Sequence, residues 1–303
     1  MQRWRSLGHV YVAGGESPWL ASHASYPTPL SLPDGRLRVF FSPRDGKGRS
    51  SIFSLDLALE GGRFERLGPP EGPWLEPGPR GAFDDAGASV AWVGALPDGG
   101  IECLYLGWSL GVSVPFRTAI GRATAAPGAR RLTRDSLAPL LDRSAEDPFV
   151  LGYPWALEVG PERWVWYGTH LSWGEAWLAM DHPIRRAVRG ADGVWRRDAA
   201  PCLSPAGGEE FALSRPSLLR DAAGWHMWYC RRLPEYRLGY AHSPDGLHWR
   251  RDDAALRFPE DPGWEEGVRC YPAVFDHGGR RYMLHNGAGY GRTGFGLALL
   301  EGG

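Results

Sequence analysis

The apolar residues of this chain fall in short alternating runs broken by turn residues. LGYAHSPDGLHW, Leu238 to Trp249, shows the pattern: Leu238 and Tyr240 alternate into a Ser-Pro-Asp-Gly turn, and Trp249-Arg250-Arg251 opens the next extended run. Asp-Gly supplies the backbone freedom a tight hairpin needs, so the stretch predicts two strands and a reversal. SRPSLLRDAAGWHMWYC, just before it, predicts two more, with a turn at Asp221 to Gly224. The unit is therefore four strands: a first with an X-Pro step, an aromatic second, a third rich in small residues and a fourth.

The unit recurs. Tyr26-Pro27, a turn at Asp34-Gly35 and RVFFS lead into SIFSLDL and Phe64 to Gly68. Ser89-Val90, Asp98-Gly99 and CLYLG lead into AIGRATA and Arg131-Leu132. Tyr153-Pro154, Gly160 to Glu162 and WVWYG lead into WLAM and Val194 to Arg196; Tyr271-Pro272, Gly278-Gly279 and YMLHN lead into GFGLALL. The second-strand markers Phe41, Tyr105, Tyr167, Tyr229 and His285 stand 64, 62, 62 and 56 residues apart. The fifth copy lacks a fourth strand, and Trp4-Arg5-Ser6-Leu7-Gly8 mirrors Phe64-Glu65-Arg66-Leu67-Gly68. A ring closed by the N-terminal strand leaves no open sheet edge. The expected fold is all-β: one five-bladed β-propeller of four-stranded blades over residues 1–303, its last blade closed by the N-terminal strand.

Composition agrees: 42 Gly, 26 Pro and 15 Trp in 303 residues suit short strands and turns. A net charge of -1 gives no reason to expect nucleic acid or a membrane surface as partner. The N-terminus lacks the apolar core of a signal peptide and no run reaches the roughly 20 apolar residues of a span, so a cytoplasmic location is expected. Cys103, Cys202, Cys230 and Cys270 are far apart and read as reduced thiols.

The order of strands, the X-Pro steps and SPDGLHW resemble the five-bladed propellers of glycoside hydrolases that act on arabinans, xylans and fructans. FDDAG, LGWSLGVSVPFRTAIG, DRSAEDP, ALSRP, YRLGYAHSPDG and GYGRTGFGLA resemble, over nearly the full chain, a family of bacterial propeller proteins of similar length encoded in polysaccharide and biosynthetic gene clusters. The resemblance implies sugar chemistry at the central channel. The inverting hydrolases of this architecture place an aspartate before the first inner proline, where it activates water. Tyr26 stands there in this chain, and Ser89, Tyr153, Arg215 and Tyr271 occupy the other steps. The closer family reads FDDNG with a proline-containing step in the second blade, where this chain has Ala86 and Val90.

First strands line a propeller's axis, so the loops leading into them meet at the channel mouth. Those loops carry His23, Asp84-Asp85, Glu146-Asp147, Glu209-Glu210 and Glu265-Glu266. Carboxylates held together raise one another's pKa, which lets an acid coexist with a base near neutral pH. Asp85 and Asp147 form the expected catalytic pair, with Glu210 and Glu266 behind them. The competing reading is that each acid accepts hydrogen bonds at a repeated structural position. Arg215 offers a fork for a carboxylate, phosphate or vicinal hydroxyls, or pairs with Glu210. Tyr26, Tyr153 and Tyr271 would supply aromatic faces, and Arg44, Asp45, Trp108, His170 and His23 further wall contacts.

Neither a phosphate-cradling Gly-rich loop nor a metal motif such as HExxH is present, so no cofactor is expected; a cation between His23, Asp85 and Asp147 is the weakest alternative. The expected ligand is a small or sugar-containing molecule. The leading expectation is a glycosidase-like enzyme; its alternatives are a non-catalytic sugar-binding propeller and a biosynthetic enzyme of elimination or cyclisation chemistry.

Overall fold

In the computed structural model, which describes residues 1–175, 180–259 and 262–302, five antiparallel sheets stand around one axis. Their inner strands are Ser22–Ser31, Gly87–Ala95, Leu151–Val159, Ala212–Asp221 and Cys270–His277. Each hairpins into an aromatic second strand: Leu37–Arg44, Ile101–Leu110, Glu162–Thr169, Gly224–Arg232 and Arg280–Asn286. The third strands are Ile52–Glu60, Phe116–Ala125, Ile184–Arg189, Tyr236–Ser243 and Phe295–Glu301.

Outer strands are shorter: Arg63–Arg66, Thr133–Arg134, Trp195–Arg197 and Arg250–Arg251 in the first four blades. The fifth is closed as expected by Gln2–Tyr11, which runs antiparallel to Phe295–Glu301 with Trp4 opposite Leu300 and Arg5 opposite Leu299. Trp4 is fully buried there, edge-on to Trp228 at 6.3 Å and stacked on Phe258 at 6.5 Å. Tryptophans fill the blade interfaces, as where Trp164 stacks on Trp225 at 5.6 Å and 11°.

Blade 3 departs from the expected pattern. Of the WLAM stretch, Trp177 to Ala179 lie outside the described residues, and Met180 pairs with Trp173 in a two-residue hairpin ahead of the real third strand, Ile184–Arg189. IRRAVR takes that place because it is the stretch that pairs with the second strand, Gly168 opposite Ile184 through Arg163 opposite Arg189.

A β-bulge interrupts every inner strand at the X-Pro step or its counterpart. Two residues there face one on the second strand, which re-aims a side chain toward the axis. Tyr26, Tyr153, Arg215 and Tyr271 each take a left-handed backbone, φ from 54° to 59°. The inner strand of blade 2 has no proline, and its bulge places Val90 rather than Ser89 at the matching position. The blades are stitched near these bulges: Val90 N–H donates to Ser42 Oγ (2.9 Å), Val274 N–H to Ser217 Oγ (2.8 Å), and Tyr26 N–H to Asn286 Oδ1 (2.8 Å).

Candidate functional site

The acids of the lead-in loops do not meet. In each of blades 2 to 5 one acid turns back into its own blade and is held by arginine. Asp84 accepts from Tyr105 Oη (3.2 Å) and Arg134 Nε (2.8 Å). Asp147 accepts from Tyr167 Oη (2.7 Å) and Arg185 Nε (2.9 Å), with Arg197 at 3.1 Å. Glu210 is gripped by Arg231 (2.7 Å) and Arg251 (2.6 Å), and Glu265 by His285 Nε2 (2.7 Å) and Arg269 (2.5 Å).

Tyr105, Tyr167 and His285 are second-strand markers, so in blades 2, 3 and 5 the repeated structural position is a buried clamp of the acid between that strand and one or two arginines. For Glu210, burial works to raise the pKa, and the bonds from Arg251 and the Ala206 N–H with the arginine charges outweigh it and lower it. The remaining members of the expected pairs are peripheral. Asp85 accepts the Gly81 N–H (2.9 Å), and exposed Glu266 meets Arg292 at 3.4 Å. Among the described residues, no three His, Cys, Asp or Glu side chains gather as a metal site would require, which includes His23, Asp85 and Asp147.

What does gather at one end of the axis is a cavity of about 380 Å³. Its floor is aromatic. The Tyr26 and Tyr153 rings lie 5.5 Å apart, Tyr271 packs 4.6 Å from Tyr26, and Tyr236 lies 5.4 Å from Tyr271. Burial pushes the Tyr26, Tyr153, Tyr236 and Tyr271 phenols up, so all four stay protonated and neutral.

The wall comes from the ends of the second strands, three residues past each marker: Arg44, Trp108, His170 and Arg232. Trp108 Nε1 donates to Ser50 Oγ (2.8 Å), which bonds Ser89 Oγ (2.8 Å). A Cβ on Gly87 would come 2.4 Å from that indole nitrogen, so only glycine fits beside it. His170 packs edge-on to Trp173 and His182, both at 4.5 Å between ring centres. Burial holds its pKa down at about 2, helped by His182, and holds His182 at about 4. His182 donates Nδ1–H to the Leu213 carbonyl, which leaves Nε2 the lone-pair nitrogen.

Five of the expected contacts, Tyr26, Arg44, Trp108, Tyr153 and His170, line this cavity. Four do not. Asp45 caps its own turn through the Arg49 N–H (2.9 Å). His23 bonds Ser22 Oγ (2.9 Å), and burial with the Arg44 and Arg292 charges lowers it to about 4. Tyr271 is wholly buried behind the floor. Arg215 is also wholly buried and crosses the axis from blade 4 to bond Thr28 Oγ1 (2.7 Å), the Pro27 carbonyl (3.3 Å) and the Ala91 carbonyl. It does not meet Glu210.

His182, Arg232, Tyr236 and Tyr290 also line the cavity and were not expected. The spacing that selected Arg44, Trp108 and His170 selects Arg232 as the fourth of the series. His182 and Tyr290 come from the blade 3 hairpin insertion and from a short turn in blade 5, outside the repeat.

The fold is a five-bladed propeller of the kind that glycoside hydrolases also adopt. Solved structures of this kind include a glycoside hydrolase (TM-score 0.73, 14% identity, 97% of this chain and 90% of that one). Another is a thermostable family-43 glycoside hydrolase (TM-score 0.63, 12%, 92% and 88%). A third is a glycosyl hydrolase from Bacteroides ovatus (TM-score 0.62, 14%, 96% and 88%). At those identities the likeness is one of fold. No family model matches the chain. It is 42% identical over 303 residues to two uncharacterised proteins of Mycobacterium tuberculosis, MT1551 of strain CDC 1551 and Rv1502 of strain H37Rv, over 98% of this chain and 99% of each, and it belongs to their family.

Proposed function

We propose that this propeller binds a small sugar-containing ligand in the axial cavity, recognised by tyrosine faces, hydroxyls and arginine rather than cleaved between paired carboxylates. One observation carries the reading: the described residues lining the cavity include no Asp or Glu, while the lead-in acids Asp147 and Glu210 are spent on arginines. Hydrolysis of a glycosidic bond by the usual route needs two carboxyl groups about 5–9.5 Å apart across the substrate. Aromatic faces with interspersed hydroxyls suit a sugar ring, which is apolar on its faces and polar at its rim.

A second reading is a non-hydrolytic transformation, and His182 favours it. With Nδ1–H committed to a backbone carbonyl and its pKa held at about 4, it is a neutral imidazole whose other nitrogen can accept a proton, in a cavity whose described lining holds no carboxylate.

Crystals soaked with neutral sugars and sugar nucleotides, beside a screen of chromogenic glycosides, test both. Density against Tyr153 and Tyr236 with a blank screen is the expected result. Glycoside turnover that vanishes in a folded Asp85→Asn or Asp147→Asn variant would overturn the reading and restore a carboxylate mechanism.

A further inference from the structure

The arginines of the cavity differ from the buried arginines elsewhere in the protein. Away from the cavity these side chains are matched by carboxylates, as Arg38 with Asp56 (2.7 Å), Arg134 with Asp84 (2.8 Å), Arg185 with Asp147 (2.9 Å) and Arg251 with Glu210 (2.6 Å), or, for Arg215, by the Pro27 and Ala91 carbonyls and the Thr28 hydroxyl. Arg44 and Arg232 line the cavity half-buried, and among the described residues neither makes an ion pair. Arg232 is fixed in place by stacking: its guanidinium sits 4.5 Å from the Tyr236 ring and 5.7 Å from that of Tyr290. Arg44 is tied by backbone pairing to Ser22 and Ser50.

A partly desolvated guanidinium without a counterion is costly, and its fork is preformed for a carboxylate or a phosphate. His170 adds an independent sign of an absent partner. It is 4% exposed, lines the same cavity, and its Nδ1 has no hydrogen-bond partner among the described residues.

Resting on the reading of this cavity as a sugar site, we propose that its ligand is an acidic sugar, a sugar phosphate or a uronate, whose anionic group is held by Arg44 and Arg232. The hydroxyls of Ser42, Ser50, Ser89 and Ser214 face the same space and suit the neutral remainder of the molecule.

Calorimetric titration with glucose, mannose and galactose, with their 1-phosphates and uronates, and with inorganic phosphate tests this at low and physiological salt. The expected result is that a 1-phosphate or uronate binds about 10-fold or more tightly than its parent sugar, an advantage that shrinks with salt. Arg44→Gln and Arg232→Gln should each remove most of that advantage, weakening the acidic sugar far more than its parent. Whichever anionic series wins identifies the group as phosphate or carboxylate. Should a glutamine variant fail to fold, the lysine variant reads the loss of the two-pronged contact at the same position.

Equal binding of neutral and acidic sugars, or an anion preference that survives both substitutions, overturns the proposal while leaving the sugar cavity standing. Arginine-dependent binding of inorganic phosphate with no sugar binding does the reverse. No binding by any probe overturns both.

Discussion

Asp147→Asn separates a catalytic carboxylate from a structural clamp. The side chain is wholly buried and holds three partners, the Tyr167 hydroxyl, Arg185 and Arg197. The amide can still accept one hydrogen bond, but it leaves Arg185, whose side chain is 3% exposed, as a buried cation without its counterion. Breaking one side of such a pair costs roughly 3–5 kcal/mol. At about 2 °C per kcal/mol for a chain of this size, the melting temperature should drop by about 6–10 °C. Asp85→Asn is the matched control, because that carboxylate only caps the Gly81 N–H at the surface. Its cost should stay under about 1 kcal/mol, or about 2 °C. Differential scanning calorimetry reads both, and a cycle with Arg185→Met should show strong coupling to Asp147. An Asp147→Asn protein whose melting temperature matches that of the Asp85→Asn control would refute the clamp.

Removing residues 1–11 strips Trp4 from its buried site and bares the edge of Phe295–Glu301, so size-exclusion chromatography should find aggregates. A monomer that melts cooperatively would contradict this. Acid should weaken the fold between about pH 6.5 and pH 4: His170 and His182 stay neutral when folded, at about 2 and about 4, whereas the unfolded chain takes up protons near 6.5. The unfolded state then binds more protons, so stability rises with pH across that window, and a double His→Gln variant should melt with a flatter pH profile. An unchanged slope in that variant would refute the assignment.

The fold was legible because its repeat is written in local chemistry. X-Pro steps, Asp-Gly turns and aromatic second strands each have a physical cause within a few residues, and the match of Trp4 to Phe64 located the closing strand. Blade 3 escaped the pattern where an inserted hairpin pushed its third strand to Ile184, a displacement that leaves no local mark. The site was legible where it followed the repeat. Tyr26 and Tyr153 sit at the X-Pro steps, Arg44, Trp108 and His170 at a fixed offset from the markers, and Arg232 continues that series. The acids were harder, because two neighbours in a loop point opposite ways. Asp84 faces Tyr105 while Asp85 faces the surface, and only the clamping arginine, far along the chain, decides between them. Arg215 shows the same limit: its position on the axis was readable, but its use on the carbonyls of blades 1 and 2 was not.

The pairing of Gln2–Tyr11 with Phe295–Glu301 also dictates a timetable. Gln2–Tyr11 and the strand it pairs with lie almost the full length of these 303 residues apart, so their pairing closes a far longer loop than any hairpin within a blade. Closing so long a loop is slow, and non-local pairing of this kind sets the pace of folding. Until then blades 1 to 4 can form one after another by local hairpins while Trp4 waits in solvent. Ring closure is therefore the pairing most sensitive to loop length, and conditions that delay it should raise the share of protein lost to association through the bare edge of Phe295–Glu301.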